Sequence, residues 1–327
     1  MRYHVYGLGN ALVDMEYEID DAFLADHEIA KGHMTLVEAE RLLQLSGDLA
    51  DHAPRRCSGG SAANSLMAVS ALGGQAFYSC KVADDEVGHF FVQDMRAAGV
   101  ETNAHEQRGQ GITGQCLVLV TADAERSMNT FLGISGSLSQ DDVDTRALEA
   151  ADMLYLEGYL CTSPSARDAV IHARELAEQK GIRTVASLSD PSVVQFFGDD
   201  MRAMLGTHVD HLFCNEEEAL AWTGASELPE AVAALKDFAH SFAVTRGAAG
   251  SLIWDGKTEH AIATAPIKPV DTNGAGDIYA GAYLYGLGQG WTHEASAHLA
   301  SRAAARLVAR FGARLPVEDY PGLLNAE

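Results

Sequence analysis

Asp271-Thr272-Asn273-Gly274-Ala275-Gly276-Asp277, followed by Ile278-Tyr279-Ala280-Gly281-Ala282, is an acid-framed run of small residues that opens an apolar stretch with helical periodicity. It reads as an anion site at the start of a helix. Small residues let backbone N–H groups approach a phosphate, and the free N–H groups and dipole of the first turn favour negative charge. A carboxylate in that place is repelled by a phosphate unless its task is to take a proton from the hydroxyl that attacks it. Asp277 is therefore read as a general base. The N–H groups of Gly274, Ala275 and Gly276 are read as donors to charge building on the transferred phosphoryl group. The plainer alternative is that the glycines only pack a helix against a sheet, with Asp277 complementing the dipole.

Working outward, Gly59-Gly60-Ser61-Ala62-Ala63-Asn64-Ser65 leads into Leu66, Met67, Val69 and Leu72, a second glycine-opened helix with an amide near its start. From about residue 60, short β-branched or apolar runs at 75–82, 153–157, 183–188, 209–213 and 242–245 alternate with helical patterns. That is the βαβ rhythm of a mainly parallel sheet covered on both faces. Segments of about 12–57 and 111–135 break the rhythm. The latter holds the alternating run Gln115-Cys116-Leu117-Val118-Leu119-Val120, which suits a half-exposed antiparallel sheet. Residues 292–311 read as a helix capped by Thr292, with Ala295, Leu299, Ala303 and Leu307 on its packed face.

Composition narrows the function classes. With 47% hydrophobic residues the chain can bury a substantial core, which argues against disorder. Lys and Arg number 23 against 46 Asp and Glu, so the net charge is 23 − 46 = −23, a field that repels nucleic acid and anionic membranes. A polyanionic ligand must then be caught by local devices such as the glycine-opened helix starts. No apolar run approaches the roughly 18 residues of a membrane span, and the N-terminus lacks signal-peptide character, so a cytoplasmic location is expected. Cys57, Cys80, Cys116, Cys161 and Cys214 are widely spaced and form no C-x-x-C pair, suggesting neither a zinc site nor a disulfide framework. The 13 histidines show no metal-ligand spacing. Gly7-x-Gly9 lacks the third glycine and following helix of a dinucleotide fingerprint, which sets a nicotinamide dehydrogenase aside.

These motifs, in this order, resemble the ribokinase-like (PfkB) family of sugar and nucleoside kinases over nearly all 327 residues. The resemblance implies a three-layer α/β/α fold with a mainly parallel central sheet and a small β-sheet lid. One domain over 1–327 is expected, its lid built from about 12–57 and 111–135. It also implies an alcohol phosphotransferase using ATP and Mg²⁺, with dependence on a monovalent cation such as K⁺ left open because Phe311-Gly312-Ala313-Arg314-Leu315-Pro316 matches incompletely. Gly59, Gly60 and Asn64 fit the element that contacts the sugar, and Asn10 with Asp14 the element whose aspartate holds sugar hydroxyls. Asn215 and Glu218 fit the Asn-x-x-Glu element, acting on Mg²⁺ through water; alternatively they are only a helix cap and first-turn acids. Asn215, Thr245, Gly247, Asn273, Gly274 and Gly276 are the implied ATP contacts, although Thr245 to Gly250 also reads as a strand ending in a tight turn. Arg126, in Asp123-Ala124-Glu125-Arg126-Ser127, is either a lid residue that swings onto the transferred phosphate or a solvated hairpin arginine.

Three features favour the adenosine-kinase branch. They are the long stretch between Asp14 and Gly59, the Asn64-Ser65 pair, and the segments Glu125-Arg126-Ser127-Met128 and Tyr155-Leu156-Glu157-Gly158-Tyr159-Leu160. Tyr159 then falls where an aromatic ring packs on a purine, or is simply an aromatic plug at a strand end. The expected partners are a nucleoside, or a sugar such as fructose, ribose or a keto-deoxy acid, together with ATP. A non-catalytic nucleotide or sugar sensor on the same fold is the remaining class. Oligomeric state is not encoded in any motif.

Overall fold

The computed structural model describes residues 2–104, 109–123 and 125–324. Ala124 of the 111–135 segment, and Met1, 105–108 and 325–327 of the expected 1–327 domain, lie outside the described residues. Nine strands form one sheet in the order Glu259–Ile262, Ser251–Trp254, Ala239–Thr245, Val209–Asn215, Arg183–Ser187, Ala151–Glu157, Tyr3–Leu8, Ala76–Ser79, Val100–Thr102. All neighbours pair in parallel except the first two pairs, which are antiparallel. Helices cover both faces, and the apolar contacts divide into two clusters on opposite sides of the sheet, with Val5, Met153 and Val185 in one and Tyr6, Leu154 and Ala186 in the other. This is the expected α/β/α layering, since a strand buried on both faces alternates its side chains between the two.

Strand bounds depart from the sequence reading where partners decide them. The expected 75–82 strand spans only Ala76–Ser79, because its register with Tyr3–Leu8 runs from Val5↔Ala76 to Leu8↔Ser79 and that partner then leaves the sheet. The 209–213 and 242–245 strands extend to Val209–Asn215 and Ala239–Thr245 because they pair with each other along their whole length. On the helix His293–Val308, Thr292 caps as expected, its hydroxyl accepting from the Ala295 N–H (3.1 Å), but Ala295 is exposed and the packed face runs through Ser296, Leu299, Ala300, Ala303 and Leu307.

A second sheet of five strands, ordered Met34–Leu36, Arg126–Phe131, Gly114–Val120, Leu12–Glu18, Arg55–Gly59, is built from the two segments that broke the βαβ rhythm. It mixes parallel with antiparallel pairs: Leu12–Glu18 lies parallel to Gly114–Val120 and antiparallel to Arg55–Gly59.

Two helices meet beneath the groove between the sheets. Helix Ala275–Gly288 is apolar all round and buried from Ile278 through Leu284, as such a helix must be. It packs on helix Ser61–Ala71 so closely that a side chain at Gly281 would meet the Ser65 carbonyl oxygen at 2.2 Å. The anion loop and Asn64 are thereby brought face to face.

Candidate active site

A cleft of about 1040 Å³ opens between the two sheets. Its floor is the C-terminal ends of the parallel strands, at Glu157, Ser187, Asn215 and Thr245, and the starts of the two buried helices, at Gly60 and Gly274. Ligands of open parallel α/β sheets bind at such strand ends. Leu12, Asp14, Cys116, Val118 and Met128 of the second sheet form the roof.

Gly274 caps helix Ala275–Gly288 with φ +72°, and a Cβ there would lie 2.4 Å from the Ala313 carbonyl oxygen, so both conformation and space demand glycine. The loop before it is stapled by Asp271, which accepts from the Asn273 N–H (3.0 Å) and the Gly312 N–H (2.9 Å). One expected donor is used inside this loop, the Ala275 N–H bonding to the Thr272 carbonyl at 3.2 Å, and the N–H of Asn273, an implied ATP contact, goes to Asp271. Ala275 is therefore a weaker anion donor in this conformation than the sequence reading assumed.

Asp277 follows in the first helical turn, partly open to the cleft. Its Oδ1 accepts the Ser61 hydroxyl at 2.6 Å and its Oδ2 accepts the Asn64 amide at 2.8 Å. Burial raises its proton affinity above the ordinary aspartate range, while those two bonds and the Arg314 charge oppose the rise. A carboxylate held this way is fixed in place and has an increased affinity for a proton, which is what a general base requires.

Asp14 also faces the cleft. Burial pushes its pKa to about 6 against the opposing charges of Arg314 and Arg126. Gly59 lies under that carboxylate, where a Cβ would meet it at 2.6 Å, and does not itself line the cleft as Gly60 does. Asn10 borders the cleft, but its polar atoms are spent inward: its N–H and amide donate to Glu157 Oε1 (3.3 and 3.2 Å), and its Oδ1 accepts from Ser135 (2.9 Å). Asn64 is also more committed than expected for a sugar contact. Its amide donates to Asp277 and its oxygen accepts from Arg314 Nε at 2.7 Å. Tyr159, in the turn after strand Ala151–Glu157, lines the cleft, with its hydroxyl 3.4 Å from the Ser189 carbonyl.

Toward the other end, Asn215 and Glu218 form a reciprocal capping box. Asn215 Oδ1 accepts the Glu218 N–H (2.8 Å), and the Glu218 carboxylate accepts the Asn215 N–H (3.0 Å) and amide (2.7 Å). The helix-cap reading is thus correct, yet both residues also line the cleft. Glu218 is buried, which raises its pKa to about 7. Both its oxygens already accept hydrogen bonds, and among the described residues no group of three or more His, Cys, Asp or Glu side chains converges as a metal cage. This donor set fits an ion carried on phosphate oxygens and met through water rather than one gripped directly. Thr245 and Asn273 line the same end. Gly247 does not; it sits in the exposed turn after the strand, with φ +54°.

Arg126 is neither a solvated hairpin residue nor, in this conformation, aimed at the anion loop's mouth. Its guanidinium is mostly buried and paired with Glu16 (2.5 Å) and Asp271 (3.2 Å), bridging the second sheet to the start of the anion loop beside a smaller cavity. Three residues escaped sequence reasoning. Ser61 was visible as the first residue of the glycine-opened helix. Glu157 ends a strand with no local signal of a site, and its partners Asn10 and Ala62 lie far away in sequence. Arg314 stood in the segment that matches incompletely, and nothing local marks its contact with Asn64, 250 residues away.

The sequence matches the pfkB family of carbohydrate kinases over residues 33–319. The chain belongs to that family. It is 28% identical to the adenosine kinase of Saccharomyces cerevisiae over 95% of this chain and 96% of that protein. Among solved structures, the adenosine kinase from Sinorhizobium meliloti matches with a TM-score of 0.88 and 34% identity, covering 99% of both chains. A probable sugar kinase from Rhizobium etli CFN 42 matches with the same TM-score and identity, over 98% of this chain and 97% of that one. The pfkB-family protein described here is accordingly a nucleoside or sugar kinase, a phosphotransferase with an alcohol acceptor, and ATP is the phosphoryl donor its family implies. Among the described residues no helix is long and apolar enough to cross a membrane.

Proposed function

We propose that this chain phosphorylates the 5′-hydroxyl of adenosine or a close nucleoside, taking the γ-phosphoryl group of Mg-ATP. The carrying observation is Asp277, a carboxylate fixed by Ser61 and Asn64 at the first turn of the anion-loop helix, inside a cleft roomy enough for two substrates. Asp277 takes the hydroxyl proton as that oxygen bonds to the γ-phosphorus. The bond from phosphorus to the β–γ bridging oxygen breaks, ADP leaves, and the proton is later lost to solvent. Gly274 and Gly276 N–H groups face the charge that gathers on the phosphoryl oxygens, with Ala275 contributing once its bond to Thr272 loosens. Asp14 holds the ribose hydroxyls, as a carboxylate accepts two hydrogen bonds from a diol. Glu218 and Asn215 would hold Mg²⁺ through its water shell, where the ion would supply positive charge to the phosphate oxygens.

Support for a base-bearing acceptor comes from the outer cleft. Met34, Leu36 and Phe196 are 46%, 62% and 74% exposed and line the cleft, as does Tyr159. Exposed apolar and aromatic surface in a cleft suits the face of a purine better than a free sugar. We read the second sheet as a lid that closes over the acceptor and excludes water, which favours transfer over hydrolysis. The second reading, a sugar kinase, is favoured by the equal likeness to the probable sugar kinase. ADP release from Mg-ATP decides between them, using adenosine, inosine, guanosine, ribose, fructose and 2-keto-3-deoxygluconate with KCl or NaCl as the monovalent salt. Turnover confined to nucleosides is expected; turnover confined to a free sugar overturns the nucleoside assignment while leaving the proposed roles of Asp277 and the anion loop in place.

A further inference from the structure

Arg314 lies outside the cleft lining yet touches the residue that touches the base. Its guanidinium is largely buried, with a side-chain exposure of 14%, between three elements. Nε donates to Asn64 Oδ1 (2.7 Å) on helix Ser61–Ala71, and Nη1 donates to Ser58 Oγ (3.1 Å) on strand Arg55–Gly59. Nη1 also faces Asp94 Oδ2 (3.3 Å) on helix Glu86–Ala97. Asp94 in turn accepts from the Ser58 N–H (2.9 Å) and hydroxyl, so the guanidinium is clamped rather than hanging free.

An amide has nearly the same shape in either orientation, and hydrogen bonding alone decides which end points where. A guanidinium has donors only, so the Asn64 end that faces Arg314 must be oxygen, and the end facing Asp277 must then be the NH₂ group. We propose that Arg314 is the positioning residue of the catalytic base, locking the Asn64 amide so that it donates to the Asp277 carboxylate. Without that lock the amide can turn its oxygen toward the carboxylate, which removes one hydrogen bond and sets two acceptors against each other. The inference rests on the kinase reading with Asp277 as base.

The groups that face Asp277 bear on the test. They are Arg314, Asp14 from the second sheet, Glu157 and Tyr155 from strand Ala151–Glu157, and Tyr159 beyond it. Arg314 is the cation among them, and it opposes protonation of both Asp14 and Asp277. The effect of losing it on the acid limb of the rate profile is therefore upward.

The experiment measures kcat and KM from about pH 5.5 to 9 for wild type, Arg314→Met, Asn64→Ala and the double variant, with whichever acceptor the wild type turns over. Arg314→Met is expected to lower kcat about tenfold near neutrality, with the acid limb moved up by about one pH unit and KM for ATP within about twofold. The double variant is expected to fall well short of the product of the single losses, because Arg314 acts through Asn64. Losses that multiply, or an acid limb that stays in place, overturn the proposal. If Arg314→Met does not fold, Arg314→Lys, which keeps a cation beside Asp94 but not the fork, enters the same cycle and is judged on coupling alone: losses that multiply with those of Asn64→Ala overturn the proposal. A wild type that turns over no acceptor overturns the kinase reading itself, and is told apart because it is seen before any substitution.

Discussion

As the proposed base, Asp277 faces two opposed requirements, a proton affinity high enough to take a hydroxyl proton and a low enough one to be ionised beforehand. Burial supplies the first, and the Ser61 and Asn64 bonds supply the second. Asp277→Asn keeps the shape and removes the base, so kcat is expected to fall by about 10²–10⁴-fold while calorimetric ATP binding changes little. Activity within about tenfold of wild type refutes the assignment. Asp14→Ala has a different signature: KM for the acceptor rises by about tenfold or more with a smaller change in kcat, and an unchanged KM removes Asp14 from the acceptor site. The residue types at both sites were legible in the sequence, because short motifs carry them. Arg126 was legible as a residue but not as a contact, since its partners Glu16 and Asp271 come from opposite ends of the chain.

At the scale of elements, two helical glycines that look alike in sequence differ in kind. In helix Ala275–Gly288, a Cβ at Gly281 collides with the Ser65 backbone oxygen, which belongs to the helix carrying Ser61 and Asn64. In helix Ala39–Asp48, Gly47 has open space around it. Gly281→Ala is expected to destabilise by about 1–3 kcal/mol, read as a lower Tm, and to lower kcat by moving the two helices apart. Gly47→Ala is expected to be neutral or to stabilise by up to about 1 kcal/mol. Equal melting shifts in the two variants contradict this packing account. The helices and parallel strands were largely readable from periodicity. Strand ends were not, because register with a partner sets them, as in the shortened Ala76–Ser79 strand.

At the scale of the whole molecule, an acidic chain holds four carboxylates of raised proton affinity around one cleft, Asp277 among them. Burial raises Glu157 and Glu218 to about 7 and Asp14 to about 6. A carboxylate whose folded pKa lies above its unfolded value stabilises the fold most when protonated, below the unfolded pKa. That contribution is lost as pH rises through the folded value, on the order of 3 kcal/mol for a rise from 4.5 to about 7. Tm is therefore expected to fall between about pH 5 and 8, and Glu157→Gln to flatten that slope whatever its effect on Tm at one pH. Parallel Tm curves for variant and wild type show that Glu157 does not titrate in this window.

By itself the sequence determined the family, the α/β layering and the glycine-opened helix start that carries Asp277, because periodic burial and a contiguous loop with its helix start are written in consecutive residues. Only the tertiary structure placed Tyr3–Leu8 inside the large sheet between Ala151–Glu157 and Ala76–Ser79, closed Arg126 onto Glu16 and Asp271, and set Arg314 against Asn64. Those outcomes depend on which distant segments share a boundary once two sheets and two helices have packed, and a side chain's partner across 250 residues leaves no trace in its own neighbourhood.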